Sequence, residues 1–339
     1  MPPRACWPRP GTKAAYRPKT VPVPAVVLAD SSACREFDVL QAQLEALNVP
    51  VVRLRRPDHR AVVAPVTGGD GALLIDGQRI RPIVTWVRHG TTAAVYAQLI
   101  RGNGAELAGR QRGQGATAAD HDTGLLGAEC WSRLLEAISA AAMTALPGGN
   151  PRLITQLVDA SRHGVRVPRT FVTTDAAAAA ARLPGTRVIA KIPDSRPLTP
   201  GSTPTSPEHT GPVVLQEYIE HSRELRVYYT DGGLTAFDVR KPRPDSIWTE
   251  PESVTVTVTT CPPRLADVVR RLATAWGLHY GAFDFLITGS GEPLFLEVNA
   301  DGDWLWFERR ARWQGVSFLV AAMTSELYVR HRRSGAVVR

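Results

Sequence analysis

Between Gly281 and Glu308 the chain reads GAFDFLITGSGEPLFLEVNADGDWLWFE. Two apolar runs with strand-like alternation flank the turn-forming Thr288-Gly289-Ser290-Gly291-Glu292, and this pattern predicts a β-hairpin. Alternation puts Leu294, Leu296 and Val298 on one side of the second strand, with Phe295, Glu297 and Asn299 on the other. Folding about the Gly-rich tip sets Asp284 roughly opposite Glu297. Two carboxylates held this close repel, and one keeps its proton unless a cation intervenes. An oxygen-only donor set suits Mg2+, above all where nucleotide phosphates complete the shell. The competing reading is a surface hairpin whose acids face water. Phe283, Phe285, Phe295 and Leu296 beside them weigh against it.

A chain of 339 residues exceeds a typical single core and implies two or three domains. No apolar run approaches the roughly 20 residues of a membrane helix. The basic, Pro-rich start lacks the apolar stretch of a secretory signal and reads as a disordered arm over residues 1–22. Cys6, Cys34, Cys130 and Cys261 are scattered with no C-x-x-C pair, which argues against zinc or a disulfide framework and fits a reducing cytoplasm. The net charge of +8 gathers partly in that arm and in the basic tail, 331–339. No zinc-finger spacing, RNA-binding aromatic motif or basic heptad supports nucleic-acid binding. An anionic nucleotide and an acidic peptide partner explain the charge equally well. A homodimer is left open.

Taken in order, a strand from Ala25, a helix carrying Phe37, Leu40, Leu44 and Leu47, and a strand VVRL predict a β-α-β start. Asp30-Ser31-Ser32 offers capping residues for that helix. There is neither a G-x-G-x-x-G after the first strand nor a P-loop. Ala72 to Ile80 predicts a hairpin on an Asp-Gly turn, and Ile83 to Val87 a further strand ending at Arg88. Residues 101–124 read as a loop, and Trp131 to Ile138 as a helix that stops at Pro147-Gly148-Gly149, the expected domain boundary. A helix follows Asn150-Pro151-Arg152. Val188 to Ile192 predicts a buried strand carrying Lys191, or an edge strand whose lysine faces water. After a Pro/Ser/Thr-rich stretch from Pro193 to Pro212, Val213 to Ile219 is a strand. Arg223 to Lys241 is a second hairpin, with Glu224, Arg226 and Tyr228 on one face. Arg226 and Arg240 are candidates for chemistry or simply solvated. Helices over Leu265 to Trp276 and Val316 to Tyr328 complete the chain.

This order of parts resembles the ATP-grasp superfamily from Asn150 to the last helix. Within it, three passages resemble the ATP-grasp ribosomal peptide maturases, the microviridin-type ligases or graspetide synthetases. They are Asn150-Pro151-Arg152-Leu153-Ile154-Thr155-Gln156-Leu157 with Val167-Pro168-Arg169-Thr170, then Glu224-Leu225-Arg226-Val227, then Phe295 to Trp306. Thr85-Trp86-Val87-Arg88 resembles, less specifically, a part of the family's pre-ATP-grasp domain. The resemblance implies an α+β ATP-grasp fold in which two subdomains clamp ATP. A small α/β domain over 23–147 would precede an ATP-grasp domain over 148–330, its lid near 170–240.

It also implies roles. Lys191, with Arg152 at the helix start, would contact ATP phosphates. Glu217, Tyr218 and Ile219 would read adenine with their backbone, and Glu224 would accept from the ribose. Asp284, Glu297 and Asn299 would hold Mg2+, and Arg226 and Arg240 would approach the γ-phosphate or an acyl phosphate. The expected reaction activates Asp/Glu carboxylates of a ribosomal precursor peptide with an acidic core and joins them to Ser/Thr hydroxyls or Lys amines.

Four features depart from the family pattern. Arg152 stands where relatives carry lysine, and the phosphate-side loop is Ser/Thr/Pro-rich rather than Gly-rich. The D-x-R segment is not recognisable in Pro242 to Glu250, although Asp245 is nearby, and Gly302-Asp303-Trp304 replaces a Gly-Gln-Trp pattern. Two alternatives therefore stay open: an amino-acid or peptide ligase of the glutamate-ligase type, and an ATP-binding interaction protein without turnover. The aromatic run Trp304-Leu305-Trp306-Phe307 reads either as a wall beside the phosphates or as ordinary core.

Overall fold

The computed structural model describes residues 21–30, 34–55, 62–67, 70–90, 118–191, 211–221, 223–243, 246 and 250–334, with side chains of 118–125, 191 and 334 excepted. The predicted arm up to residue 20, most of 101–124, nearly all of 193–212, Asp245 and the end of the tail lie outside these residues.

The β-α-β start is β1 (Val23–Asp30), α1 (Arg35–Ala46) and β2 (Val51–Arg55), with β1 and β2 parallel from Val26↔Val51 to Asp30↔Arg55. Helix α1 buries Phe37, Leu40 and Leu44, while Leu47 becomes its exposed C-cap. Cys34 sits at the N-cap; of the expected capping residues, Asp30 makes a buried ion pair with Arg53 of β2, and Ser31 and Ser32 lie outside the described residues. Strands β3 (Val62–Val63), β4 (Leu73–Ile75) and β5 (Gln78–Arg88) follow. Asp76 and Gly77 join β4 to β5 with φ of 48° and 80°, the left-handed pair that a tight hairpin turn requires. The strand expected over 83–87 is not separate: β5 runs unbroken to Arg88.

Helix α2 (Ala118–Ala140) begins inside the stretch read as a loop, and β6 (Thr144–Leu146), too short to leave a pattern, pairs parallel with β5. The sheet runs β2-β1-β5-β4-β3. The expected boundary is closely packed. A Cβ on Gly148 would meet Gly277 O at 2.2 Å, and one on Gly149 would meet Trp276 O at 1.8 Å, so glycine alone permits this approach.

Beyond it come α3 (Leu153–Arg162), β7 (Thr170–Thr173), α4 (Ala176–Ala180), β8 (Val188–Lys191) and β9 (Val213–Glu217). Asp175 caps α4 by accepting from Ala178 N at 2.9 Å. The three strands form an antiparallel sheet, β7-β9-β8. Then β10 (Arg223–Thr230), β11 (Gly233–Arg240), β12 (Thr255–Thr259), helix α5 (Pro263–Ala275), β13 (Tyr280–Ile287) and β14 (Pro293–Asn299) build a five-stranded antiparallel sheet, β12-β11-β10-β13-β14. Strand β12, TVTVT, alternates legibly and had not been anticipated. Helices α6 (Leu305–Ala311) and α7 (Gly315–Ser334) close the chain.

This five-stranded sheet is the structural centre. On one face Leu225, Val227, Phe283, Phe285, Phe295 and Val298 pack against Leu157 and Ala160 of α3 and Leu265, Val269 and Leu272 of α5. On the other, Tyr228, Phe237, Tyr280 and Ala282 share a core with Trp304, Phe307, Val316 and Val320, and with Val26, Leu28, Phe37 and Trp86 of the N-terminal sheet and α1. That second core covers only part of its face and leaves the remainder for polar side chains.

Candidate nucleotide and metal site

The uncovered part of the face is read off by register. Arg226 of β10 pairs with Asp284 of β13, Asp284 with Glu297 of β14, and Arg226 with Phe237 of β11. Directly paired residues project to the same side, so Phe237, Arg226, Asp284 and Glu297 form one row across four strands. Asn299, opposite Ala282, lies one step along β14 on that same side, and Glu224 one step along β10. The predicted facing of Asp284 and Glu297 is thus present. One detail differs: a β-bulge between Asp284 and Phe285 leaves Phe285 opposite Phe295. Phe295 therefore turns into the opposite core with Phe283 and Phe285 instead of sharing the face of Glu297.

Arg226 sits over the ring of Phe307, 4.4 Å from its centre, and its Nη1 donates to both Asp284 oxygens at 3.1 and 3.2 Å. Its Nε donates to the Tyr228 hydroxyl at 3.1 Å. Burial raises the Asp284 carboxyl to about 6; Arg226 works against that, and the nearby Glu297 and Glu224 add to it. The row thus carries one carboxylate more than its arginine balances.

Glu224 is the counter-example. Burial pushes it up, yet it is held below the ordinary carboxylate range because His221 Nε2 lies 3.2 Å from one oxygen and Lys241 Nζ 2.8 Å from the other. His221 Nδ1 is also 2.8 Å from Ile219 O. An oxygen therefore faces each ring nitrogen, and the His221 pKa is raised, chiefly by its hydrogen bond with Glu224.

The segment expected to read adenine, Glu217 to Ile219, is held at its start. Arg169 donates its backbone N–H and its Nε to Glu217, so that carboxylate is engaged. Tyr218 N–H donates to Arg187 O at 2.7 Å, and the Arg187 guanidinium lies 4.2 Å from the Tyr218 ring centre. Lys191 is placed by its backbone at the end of β8, opposite Val214. Arg152 is the exposed N-cap residue of α3, next to Pro151. There Gln156 Nε2 donates to Pro151 O and to Val298 O, and Gln156 Oε1 accepts from Val298 N at 2.8 Å. Gln156 therefore satisfies the edge of β14 between Glu297 and Asn299.

Arg240 does not join the set. Val239 opposes Glu224, so Arg240 projects from the other face, where its Nε is 3.6 Å from Asp238 and the side chain is mostly exposed. Strand parity delivers Lys241 to Glu224 in its place, and counting two residues on from Val239 would have found it. Trp304 is fully buried among Trp86 and Tyr280, so the aromatic run is core at that position, while Phe307 reaches Arg226.

Among the described residues no three His, Cys, Asp or Glu side chains gather closely enough to hold a metal by themselves. The available donors here are two carboxylates and the Asn299 amide oxygen, with one carboxylate more than Arg226 balances. That combination fits a hard divalent cation completed by phosphate oxygens. No helix among the described residues is long and apolar enough to cross a membrane.

No family model matches the chain, and no curated protein matches it. Solved structures do. The ATP-grasp ligase PsnB, complexed with a phosphomimetic variant of minimal precursor, Mg and ADP, superposes with a TM-score of 0.68 at 20% identity, over 89% of this chain and 98% of that one. The macrocyclase MdnC, bound with precursor peptide MdnA from Microcystis aeruginosa MRC, gives 0.65 at 17% identity, over 88% and 98%. The VanG D-Ala:D-Ser ligase from Enterococcus faecalis gives 0.54 at 12% identity, over 91% and 100%. Each likeness covers about nine tenths of this chain. The chain has the ATP-grasp fold.

Proposed function

We propose that this protein is an ATP- and Mg2+-dependent ligase. It activates Asp/Glu side-chain carboxylates of a ribosomal precursor peptide as acyl phosphates and joins them to Ser/Thr hydroxyls or Lys amines. The observation that carries this reading is the cross-strand row Arg226–Asp284–Glu297 on the open face of an ATP-grasp sheet. The peptide is argued from likeness to PsnB and MdnC, both solved with precursors.

In this reading Tyr218 and Ile219 offer backbone groups to adenine. Glu224 exchanges its His221 and Lys241 contacts for ribose hydroxyls, while Lys191 and Arg152 would supply positive charge to the phosphates. Asp284, Glu297 and Asn299 hold Mg2+, which supplies charge neutralisation at the phosphoryl oxygens. The substrate carboxylate attacks the γ-phosphorus and ADP leaves; a hydroxyl or amine then attacks the acyl carbon, loses its proton and expels phosphate. Arg226 is fixed by Asp284, Tyr228 and Phe307 before substrate arrives, so it meets developing charge without reorganising. No enzyme nucleophile is required, because phosphorylation activates the carboxylate and the chain supplies position and charge. Arg240, on the opposite face, has no part in this scheme. The net charge of +8 suits an acidic core peptide, and the enzyme works in the cytoplasm.

Ligation of free amino acids is the second reading, drawn from the likeness to VanG, whose superposition is poorer. Incubation with ATP, Mg2+ and acidic Ser/Thr-containing peptides separates the two. Loss of one water per crosslink by mass spectrometry supports the peptide reading, and phosphate release with free amino acids alone supports the second. ADP binding with neither product would leave an interaction protein.

A further inference from the structure

Arg88, at the end of β5, is fully buried yet lies far in sequence from every group that surrounds it. Its Nη2 donates to Asp301 O and to Asp303 Oδ1, the latter at 2.8 Å, and its Nε is 3.4 Å from Asp301 Oδ1. Cys34 Sγ and Glu36 lie 3.3 and 3.8 Å from its Nη1, and the guanidinium sits 5.2 Å from the Trp304 ring. Next to it His89, with a left-handed φ of 53°, turns its N–H onto Asp301 Oδ2 at 2.7 Å. The N-terminal domain thus grips Asp301-Gly302-Asp303 by a side chain and a backbone amide together.

Two chains of contacts lead from this grip to the metal-binding row. In the first, Asp301 N–H donates to Asn299 Oδ1 at 2.9 Å, fixing the oxygen offered to the cation. In the second, Asp303 O accepts from the Tyr228 hydroxyl, which accepts from Arg226 Nε, and Arg226 holds Asp284. Gly302 lies between them and leaves no slack: a Cβ there would sit 2.6 Å from Ala282 Cβ and 3.0 Å from Arg226 Nη2. Tyr280 also donates to Gly302 O. The two chains end on different ligands, Asn299 and Asp284.

We infer that Arg88, His89 and Asp301 are positioning residues through which the N-terminal domain sets the metal-ligand geometry of the nucleotide site. The N-terminal domain is then part of the active centre without touching nucleotide or metal. This rests on the Mg2+–nucleotide reading above. Groups that orient metal ligands from behind typically change metal affinity by about 10- to 100-fold when removed.

The test uses the full chain, with ADP binding followed by calorimetry across a Mg2+ series and the thermal midpoint recorded for each variant. The Asp301 side chain is 36% exposed, and Arg88 keeps its bonds to Asp301 O and Asp303 when that side chain is truncated; the thermal midpoint reports whether the variant stays folded. Asp301→Ala is expected to raise the Mg2+ needed for half-maximal ADP binding about tenfold. Asp301→Asn, whose amide oxygen still accepts from His89 N–H, is expected to recover most of that loss. Asp303→Asn, on the second chain, is expected to raise the requirement less than Asp301→Ala. A lowered midpoint with an unchanged Mg2+ requirement in Asp301→Ala, or an Asp301→Asn no better than the alanine variant, overturns the inference. ADP binding by the unaltered chain that ignores Mg2+ overturns instead the reading beneath it.

Discussion

The two faces of the five-stranded sheet are built from the same strands and solve opposite problems. On the α3/α5 face, Phe283 stacks on Trp276 and meets Phe295, and Phe285 meets Phe295 edge-on. That face is complete in itself. On the other, Arg226, Asp284, Glu297 and Glu224 lie among one another with more negative than positive charge along the central row. Within that face the two carboxylates diverge again. Glu224 is held low by His221 and Lys241, whereas Asp284 is pushed up by burial with Glu297 beside it. One face is packed throughout, and the uncovered part of the other keeps a charge imbalance that a bound cation would offset.

The largest expected effect breaks the packed face. Phe283→Ala removes a fully buried ring and should cost about 3–5 kcal/mol in denaturant unfolding. A loss below about 1 kcal/mol, the range of surface substitutions, would show that the packing on this face contributes little to stability.

A smaller effect concerns protons. Since the Asp284 carboxyl is raised to about 6, the folded protein holds its proton more tightly than the unfolded chain. Its contribution is therefore present at low pH and declines as pH rises from about 4 to about 6, by on the order of 2–3 kcal/mol without metal. Subtracting the pH–stability curve of Asp284→Asn from that of the unaltered protein isolates this slope. A difference curve of opposite sign would mean that Arg226, not burial, dominates the site. Smallest is Glu297→Gln, which relieves a like-charge cross-strand pair and should leave metal-free stability unchanged or raised by about 0.2–1 kcal/mol.

Much of this was legible because strands alternate. The Asp284–Glu297 pairing and the Glu224–Arg226–Tyr228 face follow from period two and a Gly-rich turn. What alternation hides is its own interruption: the bulge opposite Asp284 turns Phe295 over, and no local residue type announces it. Of the two readings open for Arg240, parity counted from Val239 favours the solvated one, since it sets the side chain on the face away from Glu224. Lys241 was available by the same count. The TVTVT of β12 was also there to read. Arg88 was not, because Asp301 and Asp303 lie more than two hundred positions from it, and nothing local in Thr85-Trp86-Val87-Arg88 says that β5 ends against Asp301.

The central claim is that the Arg226–Asp284–Glu297 row is a Mg2+-dependent nucleotide site. The most direct measurement is calorimetric titration of ADP with and without Mg2+ into the unaltered protein and into Glu297→Gln, alongside their thermal midpoints. The account predicts Mg2+-dependent binding that weakens at least about tenfold in Glu297→Gln while the midpoint holds or rises. Equal affinity in the two proteins, or binding indifferent to Mg2+, would contradict it.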